Sequence, residues 1–315
     1  MGPRETGRLR AADGRLRAWL RILVVVVLFV LATTAAAAVG NLVGPLAARF
    51  TASGVAVLVV TAVLFAVFAR RLDRRRVRSY GLAIDGRWWL DLVVGAVIGL
   101  LVGGVALLWF LAAGYAQITE VFSAGTEEAL WTGLLAAVVF LVAVAVWEEL
   151  VFRGYVMSNA AEALVATRRP ANAVILAWLI SIPLFAVGHF GQFLGSEAGV
   201  VLAFAFFVFA GALLGLAYAF TGQLGLPIGI HLTVNLGMTR IFPVAPPEET
   251  EPIAVVYRVA LDGPGWIVGV GGMAQIAGIG VALAALWLWV KVRPGAIAVD
   301  EAIAVRSDDE WVTAS

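Results

Sequence analysis

Long apolar runs, broken by arginine-rich or proline- and glycine-rich stretches, dominate the chain from Ile22 onward. About 20 consecutive apolar residues suffice for a helix to cross a bilayer, and the pattern predicts eight such segments. They fall at about Ile22–Val39, Val55–Ala69, Leu90–Ala113, a fourth running from Leu130 towards Val165, then Asn172–Phe190, Val200–Phe220, Gly225–Phe242 and Trp266–Val290. The first run is as long as a span requires. It is therefore read as a retained helix, although Ala36-Ala37-Ala38 resembles a signal-peptide cleavage site. The expected fold is all-α, a polytopic transmembrane helical bundle of about eight helices.

Composition agrees. Of 315 residues 62% are hydrophobic and 14% charged, against roughly 45–50% and about 25% in soluble domains. The net charge of +1 says nothing about partners, and nothing calls for nucleic acid. Positive charge is nearly all arginine and collects at segment ends. It lies in the tail from Arg4 to Arg21, in Arg70–Arg78, at Arg168-Arg169 and at Lys291 and Arg293. Under the positive-inside rule these mark one cytoplasmic face, holding both termini. The loops at about 114–129, with Glu120, Glu127 and Glu128, and at 243–264, including Pro243–Pro252, fall outside. Trp88 and Trp89 are expected as interfacial anchors before the third span, and the glycines of Gly263–Gly272 are read as close helix packing. Three divisions follow: a basic cytoplasmic tail at 1–21, a membrane domain at 22–293, and a polar, disordered tail at 294–315.

The chemistry is concentrated in a few residues. With no cysteine there is no disulfide, thiolate zinc ligand or thiol nucleophile. Only two histidines are present, both in apolar segments, and ionisable groups at membrane depth usually face a wet interior and mark function. Read as continuous helix, Val146–Tyr155 places Glu149 and Arg153 at i,i+4 with the acid first, the favourable order for an ion pair. Glu148 lies about 100° around the helix, free to act on water as a general base. The plainer alternative is that both glutamates belong to a helix-end ion cluster. Phe185 and His189 share a helix face, as do His231 and Asn235, by the same spacing. His189 can hold a water with Glu148, and Asn235 with His231 can face a developing oxyanion. No His-Glu-x-x-His helix occurs, yet Glu148, His189 and His231 make a His₂Glu set that could take zinc. Ser158, Ser181 and Thr233 lack the strand-turn-helix setting of a nucleophilic serine.

Depth raises a difficulty. Counted from a cytoplasmic turn near Val165, Glu148 lies roughly 27 Å up, and His189 roughly 25 Å up from Asn172. His231, counted from Gly222–Gly225, lies only roughly 10 Å up.

Glu148-Glu149-Leu150-Val151-Phe152-Arg153, Phe185-Ala-Val-Gly-His189 and His231-Leu-Thr-Val-Asn235 resemble the three successive motifs of the CAAX protease and bacteriocin-processing family of intramembrane endopeptidases. The resemblance covers about residues 130–240, the expected catalytic core. It implies that Glu148 activates water with His189, that His231 and Asn235 stabilise the oxyanion, and that Glu149, Arg153 and Phe185 support them. A glutamate-type mechanism without cofactor is preferred, with zinc on Glu148, His189 and His231 as the metalloprotease alternative. The substrate would be a membrane-associated peptide or protein, and the partner phase the lipid bilayer, in the cytoplasmic membrane of a prokaryote. The active-site cavity would be reached from the membrane or the cytoplasm. Two rival readings are a non-proteolytic immunity or scaffold protein that binds a peptide or partner, and a proton-coupled transporter. No repeat or broken-helix pair supports the transporter.

Overall fold

The computed structural model describes residues 9–11, 13–124, 129–243, 254–293 and 297–305. Glu127 and Glu128, nearly all of the Pro243–Pro252 loop, and the acidic end of the C-terminal tail lie outside these residues.

Helices α1 (Ala18–Ala37), α2 (Leu46–Arg71) and α3 (Gly86–Ala113) open the bundle. Asp85 caps α3 by accepting from the backbone N–H of Trp88 at 2.8 Å, and Gly114 ends it in the left-handed region at φ 73°. After strand β1 (Ala116–Ser123) comes α4 (Leu130–Glu149). It runs without a break through a wide, π-type stretch, Leu150–Met157, into α5 (Ser158–Leu164). Then follow α6 (Pro170–Gly188), α7 (Phe190–Leu194), α8 (Val200–Thr221) and α9 (Gly225–Leu236), the last continued by a second π-type stretch, Gly237–Ile241. Strand β2 (Val255–Leu261), α10 (Gly265–Val268) and α11 (Met273–Val292) complete the order.

Seven helical segments among the described residues are long and apolar enough to cross a membrane. The expected span not among them, Gly225–Phe242, begins as α9, only 12 residues long, and its first seven residues, Gly225–His231, are all buried. A helix this short holds its place through glycine contacts with its neighbour. A Cβ on Gly95 would meet the Leu226 carbonyl at 2.3 Å, one on Gly99 the Ile230 carbonyl at 2.3 Å, and one on Gly229 the Leu92 carbonyl at 2.1 Å. The two backbones therefore run parallel in direct contact, as small residues permit in membranes. α11 packs on α3 the same way, through Gly278 against the Val102 carbonyl.

The all-α bundle is as expected, with one small sheet added to it: β1 and β2 pair antiparallel, with Ala116 opposite Leu261 and a bulge between Ile118 and Glu120. Two loops expected at one face thus tie together, helped by Arg258 donating to Glu120 at 3.1 Å. Trp88 is buried and donates to the Gly81 carbonyl at 3.1 Å, while Trp89 alone is exposed. Of the glycines in Gly263–Gly272, Gly271 does let a helix approach closely, since a Cβ there would meet Ala203 Cα of α8 at 2.6 Å, while Gly265 and Gly269 admit the turn at Glu197-Ala198. Part of the segment expected to be disordered packs back onto the bundle. Asp300 N–H donates to the Ala219 carbonyl at 2.7 Å, and Ile303 and Ala304 are buried.

The arginine run after α2 is also no simple solvated loop. Asp73 and Arg75 are completely buried. Asp73 accepts from Arg21, Tyr80, Tyr155 at 3.0 Å and Asn159 at 2.9 Å, while Glu162 holds Arg15 and Arg75. This knot joins the start of α1, the end of α2 and the foot of the α4–α5 helix at the basic end of the molecule.

Candidate active site

Glu148 and Glu149 are the last residues of α4, and the helix continues through them as expected but widens to a π-type stretch at Leu150. π-Type insertions are rare and recur at functional sites. The expected ion pair nonetheless forms, with Arg153 Nη1 donating to Glu149 Oε1 at 2.9 Å. The other nitrogen, Nη2, donates to the Gly211 carbonyl at 3.2 Å, and the guanidinium lies 4.4 Å from the centre of the Phe185 ring.

Both histidines are held through Nδ1. His231 Nδ1 lies 2.8 Å from Glu149 Oε1, the oxygen that also accepts from Arg153. A carboxylate paired with arginine only accepts, so Nδ1 carries the proton. His189 follows the last residue of α6, and its Nδ1 lies 2.8 Å from the Phe185 carbonyl. That carbonyl belongs to the final turn, where no helical N–H reaches it. A carbonyl also only accepts, so His189 too is protonated at Nδ1. Each ring therefore turns Nε2 towards Glu148, with Oε2 3.5 Å from His189 and 3.8 Å from His231.

These distances are too long for direct hydrogen bonds. Glu148 Oε2 is buried without a hydrogen-bond partner. Two imidazole Nε2 atoms and a carboxylate oxygen thus converge, and with the rings neutral all three are acceptors. Whatever belongs among them must bring protons or positive charge; a water does this, as does a cation. The His₂Glu chemistry suits zinc, but among the described residues no group of three such side chains is spaced to hold a metal ion.

Asn235, one turn beyond His231, lines the same cavity as Glu148, His189 and His231, a space of about 180 Å³. From there the cavity runs past Thr239 and Val270, away from the basic end. Two contributors carry no signal in a single sequence. Phe207 stacks on the His189 ring at 4.4 Å and 22°, yet it is one of several phenylalanines in an apolar helix. Gly211 leaves room for the Phe185 ring, since a Cβ there would meet it at 3.2 Å.

The depth difficulty also resolves. The stacked Tyr80 and Tyr155 rings, with the Gly81 carbonyl accepting from Leu224 N–H at 2.8 Å, put Tyr155 and Leu224 at one level. Glu148 and His231 each lie seven residues above it, about 10 Å in both cases. A count from Val165 starts too low, because the α4–α5 helix extends past the basic knot before the chain turns.

No curated protein and no solved structure matches the chain. A family model does, over residues 129–237, and its description is type II CAAX prenyl endopeptidase Rce1-like. The matched stretch is about a third of the chain and contains Glu148, Glu149, Arg153, Phe185, His189, His231 and Asn235. The protein is a multi-span membrane protein whose segment 129–237 is similar to the Rce1-like type II CAAX prenyl endopeptidases.

Proposed function

We propose that the protein is an intramembrane endopeptidase that hydrolyses a peptide bond of a membrane-associated peptide or protein, with Glu148 as general base. The observation that carries this reading is the convergence of both Nε2 atoms on the unpartnered Glu148 Oε2. A water seated there donates one hydrogen to Glu148 and the other to His189, and its oxygen attacks the scissile carbonyl. As the C–O bond forms, the proton passes to Glu148 and the carbonyl electrons move onto oxygen. Asn235 donates to that oxyanion with His231 beside it, and His231 donates from Nδ1 to Glu149, which Arg153 fixes. Collapse of the intermediate breaks the C–N bond, and Glu148 returns the proton to the leaving amine.

In this reading no metal is required. If zinc is used, Glu148, His189 and His231 would hold it, and it would supply Lewis-acid activation of the water. The basic end faces the cytoplasm of a prokaryotic cell.

The test is mass-spectrometric detection of products from a membrane-peptide library, with purified protein in detergent against Glu148→Ala. Products of the wild type alone, unchanged after chelation, are expected. Loss of activity on chelation and recovery with zinc would replace the glutamate-type mechanism by a metal-dependent one. Folded protein that binds peptides and cuts none would favour the scaffold reading.

A further inference from the structure

Besides Glu148, His189, His231 and Asn235, two polar side chains among the described residues line the cavity, Thr239 and Gln192. Thr239 is engaged within its own helix, its hydroxyl donating to the Asn235 carbonyl at 2.7 Å. Gln192, on α7, is not. Its backbone N–H donates to the His189 carbonyl at 2.9 Å, but its carboxamide makes no hydrogen bond to any described residue.

A wet outer surface does not account for this amide. α7 reads Phe190-Gly-Gln-Phe-Leu194, and Phe190 and Leu194 are both more than half exposed, as apolar groups facing lipid are. Gln192 is the one side chain of α7 able to form a hydrogen bond. The element that carries it is fixed in place. Phe193 is buried and packs edge-on against Phe204 of α8, with ring centres 5.5 Å apart. Ser196, just past α7, donates to the carbonyl of Val270, which lines the cavity too. Gln192 is thus held one turn from His189, in the stretch of chain that leads towards Val270.

A peptide drawn into this cavity brings its own backbone N–H and C=O groups, and much of the wall it meets is apolar, as at Phe206, Leu213, Leu214 and Val234. Backbone polar groups buried without partners cost free energy. A glutamine carboxamide has an acceptor oxygen and two N–H donors, the same chemistry as the peptide unit itself.

We infer that Gln192 clamps the main chain of the bound peptide, its Oε1 accepting from a backbone N–H and its Nε2 donating to a backbone C=O, one or two residues from the scissile bond. Side chains three residues apart on one helical turn stand about 5–6 Å apart, and an extended chain advances about 3.3 Å per residue, which sets that spacing from His189. The clamp fixes the register of an extended segment without reading its side chains. This inference rests on the endopeptidase reading for its register but not for the binding itself.

The experiment takes a peptide from the membrane-peptide library that binds the protein and replaces one backbone N–H at a time by an ester oxygen, leaving the scissile bond as an amide. For wild type, one ester within two residues of the cut is expected to raise KM about 3- to 10-fold with kcat little changed, the worth of one hydrogen bond. Gln192→Met keeps the length of the side chain and removes both hydrogen-bonding atoms. It should raise KM for the all-amide peptide about 5- to 30-fold and no longer respond to that ester, the non-additivity that marks a direct contact. Its melting temperature should match wild type, because the carboxamide holds nothing within the fold. An ester response of equal size in wild type and Gln192→Met would overturn the clamp, as would a variant that loses kcat or melts lower while its KM holds. Direct binding of the same peptides to Glu148→Gln, with and without Gln192→Met, separates the two readings. Ester discrimination in binding that Gln192→Met abolishes, with no peptide cut by the wild type, would keep the clamp and remove the endopeptidase reading. Cleavage with no response to an ester at any position would keep the endopeptidase reading and remove the clamp.

Discussion

Two buried carboxylates at successive levels of the same helical bundle are surrounded in opposite ways. Asp73, at the basic end, accepts from four side chains, Arg21, Tyr80, Tyr155 and Asn159. Glu148, about 10 Å higher, has an oxygen buried with no donor and faces the Nε2 atoms of two imidazoles. A buried polar group without a partner costs free energy, and a charged one costs more. Asp73 is thus where the fold is secured, and Glu148 is where the fold holds open a place for a proton-bearing guest. The two share an element: Tyr155, which donates to Asp73, and Arg153, which fixes Glu149, both belong to the π-type stretch Leu150–Met157.

The sharpest way to break the comparison is Glu148→Gln. On the proposed mechanism this removes the general base and should lower turnover by about 10²–10⁴-fold. Because Oε2 has no donor to lose, the melting temperature in detergent should stay level or rise. A variant that melts well below wild type would mean that Glu148 is structural, as the ion-cluster alternative holds.

Asp73→Ala should do the reverse. It strands a buried arginine and three neutral donors, at a cost of about 3–5 kcal/mol, seen as a much lower midpoint in thermal unfolding. The protein that remains folded at low temperature should keep its preference among cleavage sites. An unaltered midpoint would show that the four contacts contribute nothing net.

Much of the upper site is legible in the amino-acid sequence, and little of the lower. Glu149–Arg153, Phe185–His189 and His231–Asn235 are i,i+4 relations, and local spacing on a helix survives the widening at Leu150. The rarity of histidine makes the two rings conspicuous. Asp73 stands inside a run of arginines whose pattern reads as a solvated loop. Its burial depends on Tyr155 and Asn159, more than eighty residues away, and no local pattern reports a contact of that range. The same holds for β1 with β2 and for the length of helix beyond the basic knot.

Glu149 lies between the two extremes, and Glu149→Gln sharpens the comparison. Its Oε1 serves Arg153 and His231 together, while its Oε2 is buried without a partner. The amide can still accept through one oxygen, so stability should fall by about 1–3 kcal/mol. The ionised acceptor behind His231 is lost as well, and supporting partners of this kind are worth about 10- to 100-fold. An intermediate loss in both unfolding midpoint and kcat is expected. A loss in one alone would assign Glu149 wholly to the fold or wholly to the reaction.

The smallest effect tests whether packing, as well as hydrogen bonding, belongs to the upper site. His189 has a single hydrogen bond, to the Phe185 carbonyl, and its ring is otherwise steered by Phe185 at 4.4 Å and Phe207 at 4.4 Å. Phe207→Leu keeps an apolar side chain of similar reach and removes the flat face. A ring–ring contact is worth about 0.5–1.5 kcal/mol beyond its area, so kcat should fall about two- to tenfold as His189 Nε2 wanders from Glu148. KM should hardly move, since Phe207 acts through the His189 ring. Phe207→Tyr, which keeps the face, should retain most of the rate. If leucine and tyrosine at this position were equally active, the Nδ1 bond alone would hold His189 in line, and the aromatic wall would serve the cavity and not the catalyst.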